Sequence, residues 1–269
     1  GSDINDHRYL VHVIFQEFGY QKYIAKSILT PEALWWLGYV PLSDNTSSSV
    51  YETRASEVFA SAGNFIMHGH NDYVFIDCGH VGLAGRGGHG HNDCLSFVAV
   101  LAGCELVCDT GSYAYTSNYK ERQRRRGTEC HNTPMIAQQE INRFIHPENL
   151  WFLNEDAIPR VEQWFDSSEI SLFRGSHSGY LRLSPPVRPV REIVLDKVRS
   201  GLLIRDSFDP LDASHSVGTT LQIAPGVIVE KKAEDRILLT SGAQCFSLIF
   251  EEIDSWRVEI FDSPVSPSY

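Results

Sequence analysis

Short apolar runs separated by turn residues follow Val50, and this pattern predicts β-strands. Asn64–His68 and Tyr73–Asp77 are two such runs, and Pro225-Gly226 is a turn between two later runs. Because no long helical pattern separates the runs, the sequence predicts a mainly β fold, an antiparallel β-sandwich. The other predicted strands are Val58–Ala60, Cys94–Leu101, Glu105–Cys108, Thr133–Ile136, Leu172–Gly175, Val190–Leu195, Leu202–Asp206, Thr219–Ile223, Val227–Glu230, Arg236–Thr240, Cys245–Phe250 and Val258–Phe261.

The N-terminal part of the chain has a different pattern. Residues 3–38 carry apolar side chains at mixed spacings of three and four, which indicates helices, and Thr30 is a suitable cap for the last of them. So few short helices cannot bury their apolar faces alone. We therefore expect residues 1–41 to be the end of a larger helical domain, joined by the polar linker Leu42–Ser49 to a β domain that begins at residue 42 and ends at residue 269.

Charge and cysteine content narrow the function classes. The net charge of −11 argues against a nucleic-acid-binding protein, and no apolar run approaches the length of a membrane span. The basic run Lys120–Arg126 fits either a solvated surface or a local site for an anionic substrate. Six cysteines without a CxxC pair favour buried thiols over a thiolate zinc site.

The segment Gly88–Phe97 (GHGHNDCLSF) concentrates the candidate chemistry. His89 and His91 are two residues apart, and Asp109 follows across a predicted hairpin that returns the chain beside His91. His131 begins another predicted strand. Two imidazoles and one carboxylate leave a coordination position open, as in zinc sites that also hold water or substrate. Taken by themselves, the histidines could equally be structural, and Asp109 could be a turn residue.

Three motifs in one register carry a family resemblance. They are GHGHNDCLSF (88–97), DTGSYAY (109–115) and RGTECHNT (126–133). Together they resemble the heparinase II/III-like domain of polysaccharide lyases. This resemblance implies an N-terminal α/α toroid followed by an antiparallel, supersandwich-like β-sandwich that holds zinc. Residues 1–41 would then be the end of the toroid, and the chain would be a C-terminal fragment of a lyase. The resemblance implies that this fragment alone lacks the part of the active site that the toroid supplies.

The resemblance also implies roles for individual residues. It assigns Zn²⁺, or another divalent metal, to His91, Asp109 and His131, and catalysis to His89 and Tyr119. Substrate contacts are assigned to Tyr115, Arg126 and Asn132.

The motifs depart from the family pattern outside the metal-binding set. Gly127 replaces a serine, Ala137-Gln138 replaces Asp-Gly, and Ile141 replaces a glutamine. These differences bear on substrate contacts rather than on the metal site.

The implied reaction is β-elimination at a uronic acid of an acidic polysaccharide, in the periplasm or outside the cell. The sugar is not specified, with glycosaminoglycans, alginate and exopolysaccharides as candidates, and a homodimer is left open. One alternative is a non-catalytic carbohydrate-binding or scaffold domain. A second is a metallo-β-lactamase-like hydrolase, because residues 89–93 read HxHxD, although Cys94 stands where that motif has a further histidine.

Overall fold

The computed structural model describes residues 55–86, 88–112, 115–146, 148–210, 215–251 and 257–261. All of them fall in the second of the two units into which the chain divides, residues 53–269. The predicted N-terminal helices, and the domain boundary predicted near residue 41, lie outside the described residues and stay predictions.

The first sheet has five antiparallel strands paired in sequence order. Its strands are β1 (Glu57–Phe59), β2 (Asn64–His68), β3 (Tyr73–Asp77), β4 (Phe97–Leu101) and β5 (Cys104–Val107). Alternate residues of β2, β3 and β4 are buried, as expected when one face of a sheet covers a core. A hairpin joins β4 to β5 and pairs Val100 with Glu105, which confirms the predicted hairpin.

The second sheet has four antiparallel strands in the order β10-β9-β8-β7. They are β7 (Pro159–Asp166), β8 (Ile170–His177), β9 (Arg188–Asp196) and β10 (Gly201–Asp209). The two sheets meet face to face where the Phe65 ring packs on Phe173, with 4.9 Å between ring centroids, and on Trp164 at 5.4 Å. Phe173, Ile193 and Leu195 belong to the same buried cluster as the inward residues of the first sheet. This arrangement confirms the predicted antiparallel sandwich.

Two smaller sheets and one α-helix complete the described part of the chain. They are β6 (Pro134–Ile136) paired with β11 (Val217–Thr219), a sheet of β12 (Ile228–Ala233), β13 (Arg236–Ser241) and β14 (Gln244–Ile249), and α1 (Tyr119–Arg125).

The structure also corrects some predicted elements. Val258–Phe261 is irregular rather than a strand, and β7 and α1 are absent from the predicted elements.

Four of the six cysteines are buried, which agrees with the expectation of buried thiols. Within the described residues, no helix has the length and apolar character needed to cross a membrane.

Candidate active site

The loop between β3 and β4 carries two of the predicted site residues, His89 and His91. Its end is fixed by two backbone hydrogen bonds: the Leu95 N–H donates to the Asp77 carbonyl over 2.7 Å, and the Ser96 N–H donates to the Asp93 carbonyl over 2.8 Å. Leu95 has a φ of 67°, a left-handed conformation that turns the chain sharply and that few residues other than glycine adopt. Strand β4 therefore begins at Phe97, later than the sequence predicted.

Asn92 ties this loop to another part of the chain. Its Nδ2 donates to Oε2 of Glu140 over 2.7 Å and to the Asn142 carbonyl over 2.9 Å, and its Oδ1 accepts the Asn142 N–H. The same Glu140 oxygen accepts from the backbone N–H and the hydroxyl of Thr128, both at 2.8 Å. Because Thr128 lies three residues before His131, this network holds the two histidine-bearing segments together.

Three side chains form a candidate metal centre. His91, Asp93 and His131 offer potential ligand atoms that all lie within 4.8 Å of one another. Nε2 of His131 is buried and has no hydrogen-bond partner within the described parts of the chain, whereas Nδ1 pairs with Oδ2 of Asp109 at 2.7 Å. A buried nitrogen of this kind is costly unless a ligand satisfies it. Two imidazoles and a carboxylate fit Zn²⁺ or another divalent cation, and a carboxylate commonly orients a metal-binding histidine.

Burial, neighbouring charges and hydrogen bonds together set the protonation of this centre. Burial and then the neighbouring His131 lower the pKa of His91 to about 3, which keeps its ring neutral and suited to a metal. Burial also opposes the charged form of His131, but the hydrogen bond to Asp109 and the charge of Asp93 outweigh it and raise the pKa of His131. Burial and the charge of Asp93 raise the pKa of Asp77 to about 8. A bound cation would offset the repulsion between these carboxylates.

A second cluster lies beside the first and is open to solvent. Nδ1 of His89 is 3.2 Å from the hydroxyl oxygen of Tyr115, and both residues are exposed. The guanidinium carbon of Arg122 lies 4.5 Å from the Tyr115 ring centroid, and its Nη1 is 3.2 Å from Nε2 of His91. Arg122 also donates to the Gly88 carbonyl. An imidazole and a phenol in hydrogen-bonding contact can exchange protons with a bound ligand.

A cavity of about 360 Å³ connects the two clusters. Its polar lining is Asp77, His80, His89, His91 and Asp93. The candidate metal centre and the candidate proton-transfer residue His89 thus face the same space.

The other predicted catalytic and substrate residues differ in exposure. Tyr119 is the first residue of α1 and is 39% exposed, so it is open to a ligand. Arg126 is fully buried, and its Nη1 donates to the Leu150 carbonyl over 2.6 Å. In this structure Arg126 hydrogen-bonds to a neighbouring loop and its side chain is not exposed to a substrate. The resemblance, by contrast, implies that Arg126 contacts the substrate.

Asn132 is also fully buried. Its Nδ2 donates to the Phe97 carbonyl over 2.8 Å and to the Cys108 carbonyl over 2.7 Å, and its Oδ1 accepts the Gln222 N–H. These three bonds join β4 to the segments that follow β5 and β11. Its side chain therefore fixes the backbone next to His131 rather than reaching the cavity.

Asp93 and Arg122 belong to the site and are absent from the predicted site residues. For Asp93 a sequence signal exists, because it ends the HxHxD pattern of residues 89–93. Arg122 lies within the basic run. The sequence does not show that Arg122 is buried while Lys120 and Arg124 are exposed. The predicted ligand Asp109 is hydrogen-bonded to His131, whereas Asp93 lies in the cluster with His91 and His131. Asp93 and Asp109 are therefore both candidates for the carboxylate ligand.

Comparison with known proteins gives a family match and a structural likeness. Residues 52–268 match the family described as Heparinase II/III-like, C-terminal. The fold is similar to that of the heparan sulfate lyase HepC from Pedobacter heparinus, at 15% identity and a TM-score of 0.51, covering 70% of this chain and 27% of HepC. It is also similar to a heparinase III, the BT4657 gene product, at 19% identity and a TM-score of 0.53, covering 69% and 26% of the two chains.

The chain therefore spans about a quarter of the length of these two structures. At such identities the likeness concerns the fold. No match was found among curated proteins.

Proposed function

Because the chain belongs to the Heparinase II/III-like, C-terminal family, we propose that it is the C-terminal domain of a polysaccharide lyase. The proposed reaction is β-elimination at a uronic acid of an acidic polysaccharide, in the periplasm or outside the cell. One observation carries this proposal: His89, which lines the cavity, lies 3.2 Å from the Tyr115 hydroxyl and beside the cluster of His91, Asp93 and His131. A glycosaminoglycan, alginate or an exopolysaccharide would meet the chemical requirement.

Elimination requires three events at the sugar. The C5 carboxylate must be neutralised, a base must remove the C5 proton, and an acid must protonate the departing glycosidic oxygen. The electron pair of the C5–H bond becomes the new C4–C5 double bond as the C4–O bond breaks. In our proposal His89 accepts the C5 proton and Tyr119 donates to the leaving oxygen. Both side chains are exposed, and the helix that begins at Tyr119 contacts the His89 loop through the hydrogen bond from Arg122 to the Gly88 carbonyl. Tyr115 orients the His89 ring through its hydroxyl.

A metal ion would have a structural part in this proposal. His91 and His131 would bind Zn²⁺, or another divalent ion, together with the carboxylate of Asp93 or Asp109. The orphaned Nε2 of His131 and the clustering of the ligand atoms of His91, Asp93 and His131 within 4.8 Å support this assignment. When bound, such an ion would cross-link the loop that carries His89 to the segment before β6 and would add positive charge near the anionic sugar.

The lyase proposal is tested by the products. The full-length protein that contains this domain is incubated with heparan sulfate and with alginate, and ultraviolet absorbance detects the unsaturated uronate that elimination creates. We expect His89→Ala to lower the rate about a hundredfold or more, because the proton-transfer group is removed. The matched control, His146→Ala, also changes an exposed histidine and should leave the rate unchanged. Unchanged activity of the His89 variant would contradict the assigned role.

One observation favours a second candidate function, a non-catalytic carbohydrate-binding domain. The chain spans only about a quarter of the two similar structures, so residues outside it could complete an active site. This candidate predicts binding of acidic polysaccharide without unsaturated products. The hydrolase alternative, which would yield saturated products, loses support because its fold needs alternating β and α elements and the described strands are antiparallel.

A further inference from the structure

An ordered loop that displays two aromatic side chains lies next to the candidate active site. This aromatic loop comprises residues 148–153. Oδ1 of Asn149 accepts the backbone N–H groups of Trp151 and Phe152, both at 3.1 Å, so that one side chain shapes the whole turn. The Asn149 carbonyl in turn accepts Nε2 of Gln123, which is part of α1, over 2.9 Å. The loop is thus fixed internally and from the helix.

Further bonds anchor the rest of the aromatic loop. The Leu150 carbonyl accepts Nη1 of the buried Arg126 over 2.6 Å. The Leu153 N–H donates to the Gly85 carbonyl over 2.8 Å, and the Leu153 side chain is buried. The backbone is therefore held on both sides of Trp151.

The anchoring contrasts with the exposure of the two rings. Trp151 is 44% exposed and Phe152 is 38% exposed. Fixing backbone residues costs conformational entropy, which folding usually offsets by burying the large apolar side chains that those residues carry. Here the fixed backbone leaves the rings open to solvent. Such an arrangement suits an aromatic surface that is preorganised for a ligand.

Trp151 also packs against the loop that carries candidate active-site residues. A Cβ atom added at Gly88 would lie 2.4 Å from Cε3 of Trp151, so the indole packs directly against the Gly88 backbone. The Gly88 carbonyl accepts a hydrogen bond from Arg122, which lies over the Tyr115 ring. The next residue in the chain is His89. The indole therefore packs against the loop that carries the proposed base, His89.

We propose that Trp151 is a stacking platform for one sugar ring of the acidic polysaccharide, in the position next to the sugar that undergoes elimination. The inference rests on the proposed function, because that function supplies the occupant. Pyranose rings present an apolar C–H face that packs on an aromatic ring, and their carboxylate or sulfate groups remain free for cationic residues. Trp151 binds the chain of sugars and takes no part in the proton transfers.

The test compares binding and catalysis in variants of the full chain. The ligands are size-defined oligosaccharides from heparan sulfate and from alginate. Trp151→Ala is expected to raise Kd and KM roughly tenfold, the size of effect that one aromatic contact supplies, with kcat unchanged. Trp151→Phe should restore most of the affinity. The matched control is Phe165→Ala, which removes an aromatic residue that is 47% exposed on β7 and should leave Kd unchanged.

Several results would overturn the platform. One is a Trp151→Ala variant whose Kd equals that of the wild type. Another is a Trp151→Ala variant that changes its oligomeric state but not its Kd, because the ring would then belong to a contact between protein chains. If the alanine variant does not fold, Trp151→Phe is compared with Trp151→Gln: equal affinities overturn the proposal, and weaker binding by the glutamine variant supports it.

The outcomes also separate this inference from the proposed function. If the wild-type chain binds the oligosaccharides but the full-length protein that contains it forms no unsaturated product, the lyase proposal is contradicted, while the Kd comparison still decides the role of Trp151. Normal elimination with an unaltered Kd in Trp151→Ala overturns the platform alone. A wild-type chain that binds none of the oligosaccharides overturns both.

Discussion

Arg191 of β9 connects the second sheet to the candidate metal centre. It is fully buried and forms two hydrogen bonds of 2.7 Å to the carboxylate of Asp206. Its Nη1 also donates to the carbonyl of Leu95 over 3.0 Å and to the carbonyl of Asn132. These two carbonyls lie close in sequence to Asp93 and to His131. One charged side chain therefore fixes both backbone segments that hold the candidate ligands.

This arrangement predicts a large cost for removing the guanidinium. Arg191→Ala should lower the free energy of unfolding by about 4 kcal/mol, because the Asp206 carboxylate stays buried without its partner and two carbonyls lose their donor. Urea unfolding measures the change. The control Arg205→Ala breaks the pair with Glu192, in which the arginine side chain is 62% exposed, and should cost less than about 1 kcal/mol. Equal losses in the two variants would contradict the structural role of Arg191.

At the scale of elements, burial decides which of them the sequence reveals. The bounds of β2 and β3 are those predicted, because alternate side chains enter the core and impose a period of two. Edge strand β7 is almost entirely exposed and carries no such period. Helix α1 buries Arg122 and Arg125 in place of apolar residues, so its sequence shows only a charge run. Elements that bury charge, or bury little, cannot be predicted from apolar spacing.

The same reasoning explains how far the site could be predicted. The predicted hairpin was enough to expect Asp109 near His91, and the family resemblance added His131 to the set. In the structure Asp109 is hydrogen-bonded to His131. The position of Asp93 depends instead on the left-handed turn at Leu95, which no spacing pattern encodes. Sequence spacing therefore could not decide between Asp93 and Asp109 as the carboxylate of a metal site, and the predicted ligand set stays a prediction.

Helix α1 depends on a cap at its N-terminus. Oδ1 of Asn118 accepts the backbone N–H of Glu121 over 3.2 Å, and the helix has only seven residues. Asn118→Ala should lower the free energy of unfolding by about 1 kcal/mol, because an N–H at the helix start loses its acceptor. Chemical denaturation measures this, with the exposed neighbour Ser117→Ala as a control of little effect. A cost equal to that of the control would show that the cap contributes nothing.

At the scale of the whole molecule, the candidate metal centre joins segments that are distant in sequence. His91 and Asp93 come from the loop before β4, and His131 from the segment before β6. Asp109 follows β5 and reaches the same point through His131. A metal ion bound there would cross-link the loop before β4 to the segment before β6, so its binding free energy would add to the stability of the fold.

This coupling predicts how metal removal affects stability. The purified chain should contain about one zinc ion, and a chelator should lower its Tm by several degrees, because binding stabilises only the folded state. His91→Ala and His131→Ala should contain no zinc, melt at a lower temperature and show no further response to the chelator, whereas His146→Ala should behave as wild type.

Comparison of Asp93→Asn with Asp109→Asn then identifies the carboxylate ligand, since the variant that loses zinc outright has lost a ligand and the other has lost only an orienting hydrogen bond. A wild-type chain that contains no metal and keeps its Tm in the chelator would leave the cluster a hydrogen-bonded support of the loop that carries His89.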